Sequence, residues 1–395
     1  MALWKVIVGL LAATTSVAAR AFPEGVGGCD PDASPPESRA LFVAGGPDPS
    51  LPMRSDLPLT ITRLPEFDHD DGFGFVASFK NAYMSGEWSA IYDCKVEYFA
   101  GGCRAWLAEF PMDRLAKKSP IQLGRAVVVS QFWGYGYYHW FIEGFLRLAL
   151  VYDYLVDNPD VKIVMYKMDN SEAFLKLIGL DPARLVSFDD GALYFAQELQ
   201  SPSPSACGSA MGPAARKMRS LFRSNARHLI PEISVDSGEQ FTIVVQSRGH
   251  DGQSRSITNE AELLAALRRE NPDARILEFG PDANLWDTVK LHYHANIVIG
   301  PHGAGLSNIL FAPEGTALIE LHPDIGNDHR YGRHDVNICH QRTAHRVGSR
   351  EILLIEDNGT YATPFSVDID RVVQVVSQLR RGVLVPVSYT DLERE

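Results

Sequence analysis

Asn296-Ile-Val-Ile-Gly-Pro-His-Gly-Ala-Gly-Leu-Ser-Asn308 is the stretch on which the reading of this chain turns. Its first part is an apolar, β-branched run of the kind that fills a strand buried on both faces. Its second part places Gly300, Gly303 and Gly305 close together, and a helical pattern runs from Leu306 to Phe311. Glycines after a buried strand let the backbone approach a ligand, and the following helix start offers free N–H groups. A diphosphate is the natural guest, being anionic and rich in acceptors, with His302 and Ser307 as added donors. A plain tight turn between strand and helix has the same spacing, and the glycines do not follow the dinucleotide fingerprint.

Outward from this stretch the pattern repeats. Strands are predicted over Phe241–Gln246, Arg275–Phe279 and Thr316–Leu321, with helices over Glu260–Glu270 and Asn284–His294. Asn259 followed by Glu262 resembles a capping box. Alternation of strand and helix predicts a doubly wound parallel sheet whose ligands lie beyond the carboxyl ends of the strands. A last amphipathic helix, Asp370–Arg381, places Val372, Val375, Val376 and Leu379 on one face. Upstream, strands over Ala126–Ser130, Val161–Tyr166 and Arg184–Phe188 alternate with helices over His139–Val156 and Ser171–Ile178, which predicts a second α/β unit. The expected division is 59–235 and 240–365 for the two domains and 366–395 for a terminal helix and tail. Residues 20–58, rich in Pro, Gly, Asp and Ser, read as a flexible stem.

The 395 residues carry a formal net charge of -12, which argues against a nucleic-acid partner. Residues 1–19 place Lys5 before an apolar run ending in small residues, which reads as a cleaved signal peptide or, alternatively, a short membrane anchor. Either directs the chain into the secretory lumen, Golgi or endoplasmic reticulum. Five cysteines suit an oxidising compartment, and none forms a C-x-x-C pair; Cys94 and Cys103 are close enough in sequence to bridge. Asn358-Gly-Thr360 is an N-glycosylation sequon.

Several polar residues fall at the expected crevice. Arg248 and Arg255 follow the first strand of the second domain, and guanidinium forks match phosphate oxygens, so the diphosphate would need no divalent metal. They also read as two solvated loop arginines. Glu320, at the end of its strand, can accept from ribose hydroxyls or form a rim salt bridge. His139, Glu143 and Arg147 recur every four residues and predict one polar stripe on an apolar helix. That stripe is either a cleft wall holding the catalytic base or a structural Glu143–Arg147 pair. Asp68-His-Asp70 matches a manganese-binding pattern but follows no strand. His322, His329, His334, His340 and His345 are too irregularly spaced to predict a metal site.

In combination these segments resemble the family 61 glycosyltransferases, which include plant β-1,2-xylosyltransferases and animal O-linked N-acetylglucosaminyltransferases. The matching pieces are His139-Trp140 with Arg147, Ser247-Arg248 with Arg255-Ser-Ile-Thr-Asn-Glu260, and Gly300 to Asn308 with Phe311 and Glu320. They span about Val127 to Leu321. The resemblance implies a GT-B arrangement, with two Rossmann-like domains facing a cleft and a C-terminal helix crossing back to the first. It implies an inverting enzyme without an essential metal or other cofactor, using a UDP-sugar donor, xylose or N-acetylglucosamine, and a glycan or glycoprotein acceptor. Arg248, Arg255, Pro301, His302, Gly303, Ala304, Gly305 and Glu320 match the nucleotide side, and His139 and Arg147 the facing wall, with His139 and Glu143 as candidate bases. Gln246 and Ser247 depart from the more apolar residues common before Arg248, and the N-terminal third matches nothing in the pattern. A catalytically inactive glycan- or nucleotide-sugar-binding module is the alternative; an oxidoreductase is disfavoured by the missing G-x-G-x-x-G.

Overall fold

The computed structural model describes residues 38–42, 59–69, 72–86, 89–92, 96–100, 103, 110–111, 114, 118–235, 240–249, 254–323 and 337–383. The leader, most of the stem, Cys29, Cys94, Asp70, His329 and His334 lie outside them. Among the described residues no helix is long and apolar enough to cross a membrane. The chain divides into two compact units: Met1–Tyr135 with Glu143–Lys167 and Ala183–Cys207, and Gly136–Ile142 with Met168–Pro182 and Gly208–Glu395.

The first unit is built on a nine-stranded sheet. Its strands are β1 (Ser38–Phe42), β2 (Leu59–Arg63), β3 (Phe75–Ser85), β4 (Ala90–Tyr92), β5 (Val96–Ala100), β6 (Ile121–Val128), β7 (Lys162–Met165), β8 (Leu185–Ser187) and β9 (Tyr194–Pro202). The order is β1-β5-β4-β3-β9-β6-β7-β8, with β2 also on β3. Strands β6, β7 and β8 form the parallel run expected, and β9, which the sequence reading did not include, joins it in parallel on β6. Strands β2 to β5 pair antiparallel, as does β3 with β9, so this sheet is mixed rather than doubly wound. The cause is local: the short connections between β2 and β5 allow antiparallel returns but are too short for parallel crossovers. β1 also corrects the reading of 20–58 as unbroken stem, since it pairs in parallel with β5. Phe75, Phe79, Met84, Tyr98, Val128, Val164 and Leu199 make the core here.

Cys103 is bonded to Cys207, so the expected Cys94–Cys103 bridge is corrected. Their separation of 104 residues explains the miss. Closure entropy grows only slowly with loop length, so nearness in sequence is a poor guide to pairing.

The helix expected over His139–Val156 is a π-helical turn over His139–Gly144, a 3₁₀ stretch over Phe145–Val151 and then α1 (Tyr152–Asp157). A π turn closes i→i+5 bonds and a 3₁₀ turn i→i+3 bonds, so a four-residue spacing no longer marks one face. The stripe of His139, Glu143 and Arg147 is therefore not a stripe, and the chain passes from the second unit to the first between Ile142 and Glu143.

The second unit carries α2 (Ser171–Leu177), α3 (Gly212–Leu229), α4 (Pro231–Val235) and a five-stranded sheet. The sheet comprises β10 (Thr242–Gln246), β11 (Arg275–Phe279), β12 (Ile297–Pro301), β13 (Ala317–His322) and β14 (Arg350–Ile355), in the order β11-β10-β12-β13-β14. All neighbours are parallel. Ile243, Val245, Ile297, Ile299 and Ile319 pack under α5 (Glu260–Glu270) and α8 (Ile369–Arg380). The alternate residues Val244, Val298 and Leu318 pack against Leu306 and Ile309 of a 3₁₀ helix, Ala304–Phe311, and Ala344 of α7 (Cys339–Arg346). Both faces are covered, which is why these strands read as continuous apolar runs. Strand β14 and helix α7 went unread in the sequence; α6 (Leu285–His292) is where it was expected.

Two boundaries differ from expectation. Helix α8 packs through Val372, Val375 and Val376 on the second unit's own sheet and belongs to that unit. Helix α3, expected before the boundary, belongs to the second unit. Its arginines explain this: Arg216 donates to Arg346 O, Arg219 to Val347 O, and Arg223 to Tyr293 O and Phe311 O. Sequence spacing shows arginines on a helix; it does not show that their donors reach carbonyls 70 to 130 residues away. Asn259 stands at the N-cap of α5 as expected, but its side chain makes no capping bond: its amide bonds Val367 N and O, tying the start of α5 to the approach to α8.

Candidate functional site

In this sheet β10 and β12 are adjacent, while the chain leaves them toward opposite edges. That is the switch point at which doubly wound sheets open a crevice beyond the strand ends. The loops that follow β10 and β12 hold Arg248 and the Pro301 to Gly305 run. A Cβ on Gly303 would meet Arg248 Nη1, and one on Gly305 would meet Gln246 Nε2. A Cβ on Gly300 would stand 2.8 Å from Gln246 Cβ. The glycines thus let the two loops close on one another: Gln246 fills the space beneath and Arg248 lies along Gly303. Gln246, the departure noted in the sequence, supplies the residue that fits these glycines.

Arg248 Nε donates to Ser254 O at 2.9 Å. Burial first, and then the charge of Arg255, lower the Arg248 pKa. The two guanidinium charges are thus close enough to repel, and an anion between them would relieve that repulsion. Arg255 adopts φ +63°, a left-handed conformation that costs a bulky residue about 1–2 kcal/mol. It is held there by Arg255 N donating to Thr363 O at 2.9 Å, and its guanidinium lies 5.4 Å from the centre of the Tyr361 ring. Ser256 O and Thr258 N continue the pairing with Phe365, so residues 255–259 run laced to 363–367.

His302 and Glu320 come together as a buried pair, Nδ1 to Oε1, with side chains 5% and 1% exposed. Burial works against the Glu320 charge, but the His302 imidazole outweighs it and holds the carboxyl well below its usual range. Burial first, and then the hydrogen bond and charge of Glu320, push the neighbouring Glu351 carboxyl up. Glu320 consequently sits behind His302 rather than at the rim, and the expected ribose contact gives way to an internal pairing. Around His302 gather the rings of His322 at 4.9 Å, His340 at 5.3 Å and Tyr361 at 5.3 Å. His322 donates through Nδ1 to Pro323 O, which leaves Nε2 to accept from Tyr361 Oη at 2.8 Å. Of these, the sequence reads His302 as a donor to the diphosphate and His322 and His340 as histidines too irregularly spaced for a metal site, while Tyr361 carries no sequence signal.

The remaining expected residues divide between the units. His139 is half-buried in the second unit, its ring 5.6 Å from that of Tyr138. Glu143 is fully buried in the first unit and accepts from Gln131 Nε2 at 2.6 Å. Arg147 is also buried there. Its guanidinium donates to Pro202 O at 3.1 Å and to Val129 O at 3.4 Å, and burial brings its pKa down to about 9. Those carbonyls occupy the group that was expected on a cleft wall. Asn358 is partly exposed, but Nδ2 donates to Ser366 O at 3.0 Å and Oδ1 accepts from Ser366 N at 2.7 Å, closing a loop.

Fold and loops together define a parallel α/β unit whose switch point carries a glycine-rich loop packed against Gln246 and Arg248. The family model described as Glycosyltransferase 61 matches residues 137–319, a little under half of the chain. That stretch contains β10 to β12, both loops that follow β10 and β12, and the first half of β13, and over it the chain is similar to the family 61 glycosyltransferases. Human protein O-linked-mannose beta-1,4-N-acetylglucosaminyltransferase 2 is 36% identical over 115 residues, 28% of this chain and 19% of that protein. The bovine EGF domain-specific O-linked N-acetylglucosamine transferase is 24% identical over 180 residues, 42% of this chain and 33% of that protein. The chain thus matches between a fifth and a third of the length of these relatives.

Proposed function

We propose that the chain is a glycosyltransferase that moves a sugar from a UDP-sugar donor to a glycan or glycoprotein acceptor. N-acetylglucosamine is the favoured sugar, because both relatives are named for its transfer; xylose is the other candidate from the family resemblance. The observation that carries this reading is the packing of Arg248 along Gly303 with Arg255 beside it, at the switch point of the matched region. The Pro301 to Gly305 backbone and the two arginines hold the diphosphate, so no divalent metal is needed to bridge it. Transfer proceeds by one in-line displacement with inversion. The acceptor oxygen bonds to the anomeric carbon while the bond to the diphosphate oxygen breaks, and the acceptor proton passes to a base. His139 is the base we favour, since Glu143 is fully buried beside Gln131. Departing negative charge is stabilised by donors already in place, which lowers the barrier more than any other single effect in most sites of this kind. The disulfide suits an oxidising secretory lumen.

The test is stabilisation by UDP, GDP and CMP, each with and without EDTA. UDP at a hundredfold excess over Kd is expected to add about 2.7 kcal/mol, with no effect of EDTA on that increment. Stabilisation by GDP or CMP instead would sink the donor assignment. Binding of UDP without any sugar transfer or donor hydrolysis would favour the inactive binding module.

Gly303→Ala supplies a sharper check. The new methyl group meets the far end of a flexible arginine, not backbone, so folding is expected to survive with Tm within a few degrees. The Arg248 contact to phosphate is displaced, and loss of one charge-assisted hydrogen bond corresponds to a Kd for UDP raised roughly 10- to 100-fold. Titration calorimetry reads this directly; an unchanged Kd would remove Arg248 from the site.

A further inference from the structure

Within and beside the glycine loop lie side-chain donors to which the proposed transfer, which uses the loop's backbone, gives no role. His302, Cys339 and His340 each offer one ligand atom, and these atoms lie within 4.8 Å of one another. They come from separate parts of the chain: His302 follows β12, while Cys339 and His340 open α7. All three are buried, at 4%, 7% and 2% exposure. His340 Nδ1 is buried and has no hydrogen-bond partner. Leaving such a nitrogen unsatisfied costs on the order of 1–3 kcal/mol, so a partner at this position has a physical reason to be there.

The surroundings suit a metal ion of one kind. Glu320 engages His302 through Nδ1. The carboxylate accepts from Nδ1–H, which fixes the tautomer and leaves the Nε2 lone pair as the free ligand. A carboxylate behind a histidine in this way is the usual support of a metal-bound imidazole. Two imidazole nitrogens and a thiolate are borderline-soft donors that select zinc, whereas magnesium, calcium and manganese take oxygen ligands.

We propose that His302, Cys339 and His340 form a zinc site, with Glu320 orienting His302 and the fourth position left to water or a ligand. Binding expels the Cys339 thiol proton to solvent, and the bonds formed are two Zn–N and one Zn–S. The ion ties the loop after β12 to the first turn of α7. It differs in chemistry from a cation bridging the donor diphosphate through oxygen ligands, so both statements about metal hold together. All four residues lie in the second unit, and the site stands whether or not the chain transfers sugar.

The experiment uses the full chain, reduced and stripped of metal, then titrated with zinc and separately with cobalt(II). One zinc per chain is expected to remain after dialysis, and cobalt is expected to give a thiolate-to-metal charge-transfer band. Cys339→Ser should lose that band, and Glu320→Gln should weaken zinc binding roughly 10- to 100-fold. The wild-type cobalt spectrum needs no variant, and circular dichroism of each variant separates lost ligation from lost folding. Absence of bound zinc and of the band in the wild type overturns the proposal. So does retention of zinc at wild-type affinity in a folded Cys339→Ser/His340→Gln double variant, which would place the metal on other histidines.

Discussion

Arg255→Ala is expected to lower kcat/KM for the UDP-sugar donor by on the order of 10³-fold, to the point of no measurable turnover. Removing one donor from a charge-stabilising site costs roughly 10²–10³ in rate, and an arginine that meets a departing phosphate group can cost more. Arg255 is also suited to this test because its backbone is strained. A side chain at φ +63° is not there for local comfort, and the pairing of Arg255 N with Thr363 O holds it in place. Alanine removes the guanidinium but keeps the strain, so Arg255→Asn is the companion variant: asparagine tolerates the left-handed region and carries no charge. Both variants should fold, and both should lose turnover together with UDP-dependent stabilisation. Near-normal turnover in either would count against the nucleotide site and leave the family match as ancestry.

The second large effect concerns stability in the first unit. The double variant Cys103→Ser/Cys207→Ser is expected to lose about 4–5 kcal/mol of unfolding free energy, since the bridge closes a loop of about a hundred residues. Urea unfolding followed by fluorescence should show a lower midpoint, with the first unit unfolding ahead of the second. A midpoint unchanged within experimental error would mean that Cys103 and Cys207 are not bonded in the folded protein. Intact mass before and after reduction checks the bond independently. The same variant made in a secretory host should accumulate poorly, because losses of this size exceed a large share of a typical domain's stability.

Strands β10 to β13 and helices α5 and α6 were legible in the residues alone, as was the place of the glycine loop between strand and helix. Each is specified by neighbours in sequence: apolar runs, turn residues and helical spacing act over a few residues. The positions of Arg248 and of the Pro301 to Gly305 run directly after their strands were legible for the same reason. Residue type and position after a strand already limit what they can do. The His139–Arg147 stripe failed on local grounds, because one extra residue in a π turn shifts every following side chain and leaves no mark in the spacing.

What the sequence by itself determined, then, is the α/β alternation of the second unit and the loop chemistry at its strand ends. Tertiary structure alone decided the strand order that makes β10 and β12 a switch point, the mixed sheet of the first unit and the Cys103–Cys207 bond. It also turned Arg147 onto the Pro202 carbonyl, seated Glu320 behind His302, and brought Cys339 and His340 to that same histidine. The physical reason is common to all of these. Each depends on which distant groups meet once apolar surface is buried, and a carboxylate or guanidinium takes whatever partner that burial leaves within reach.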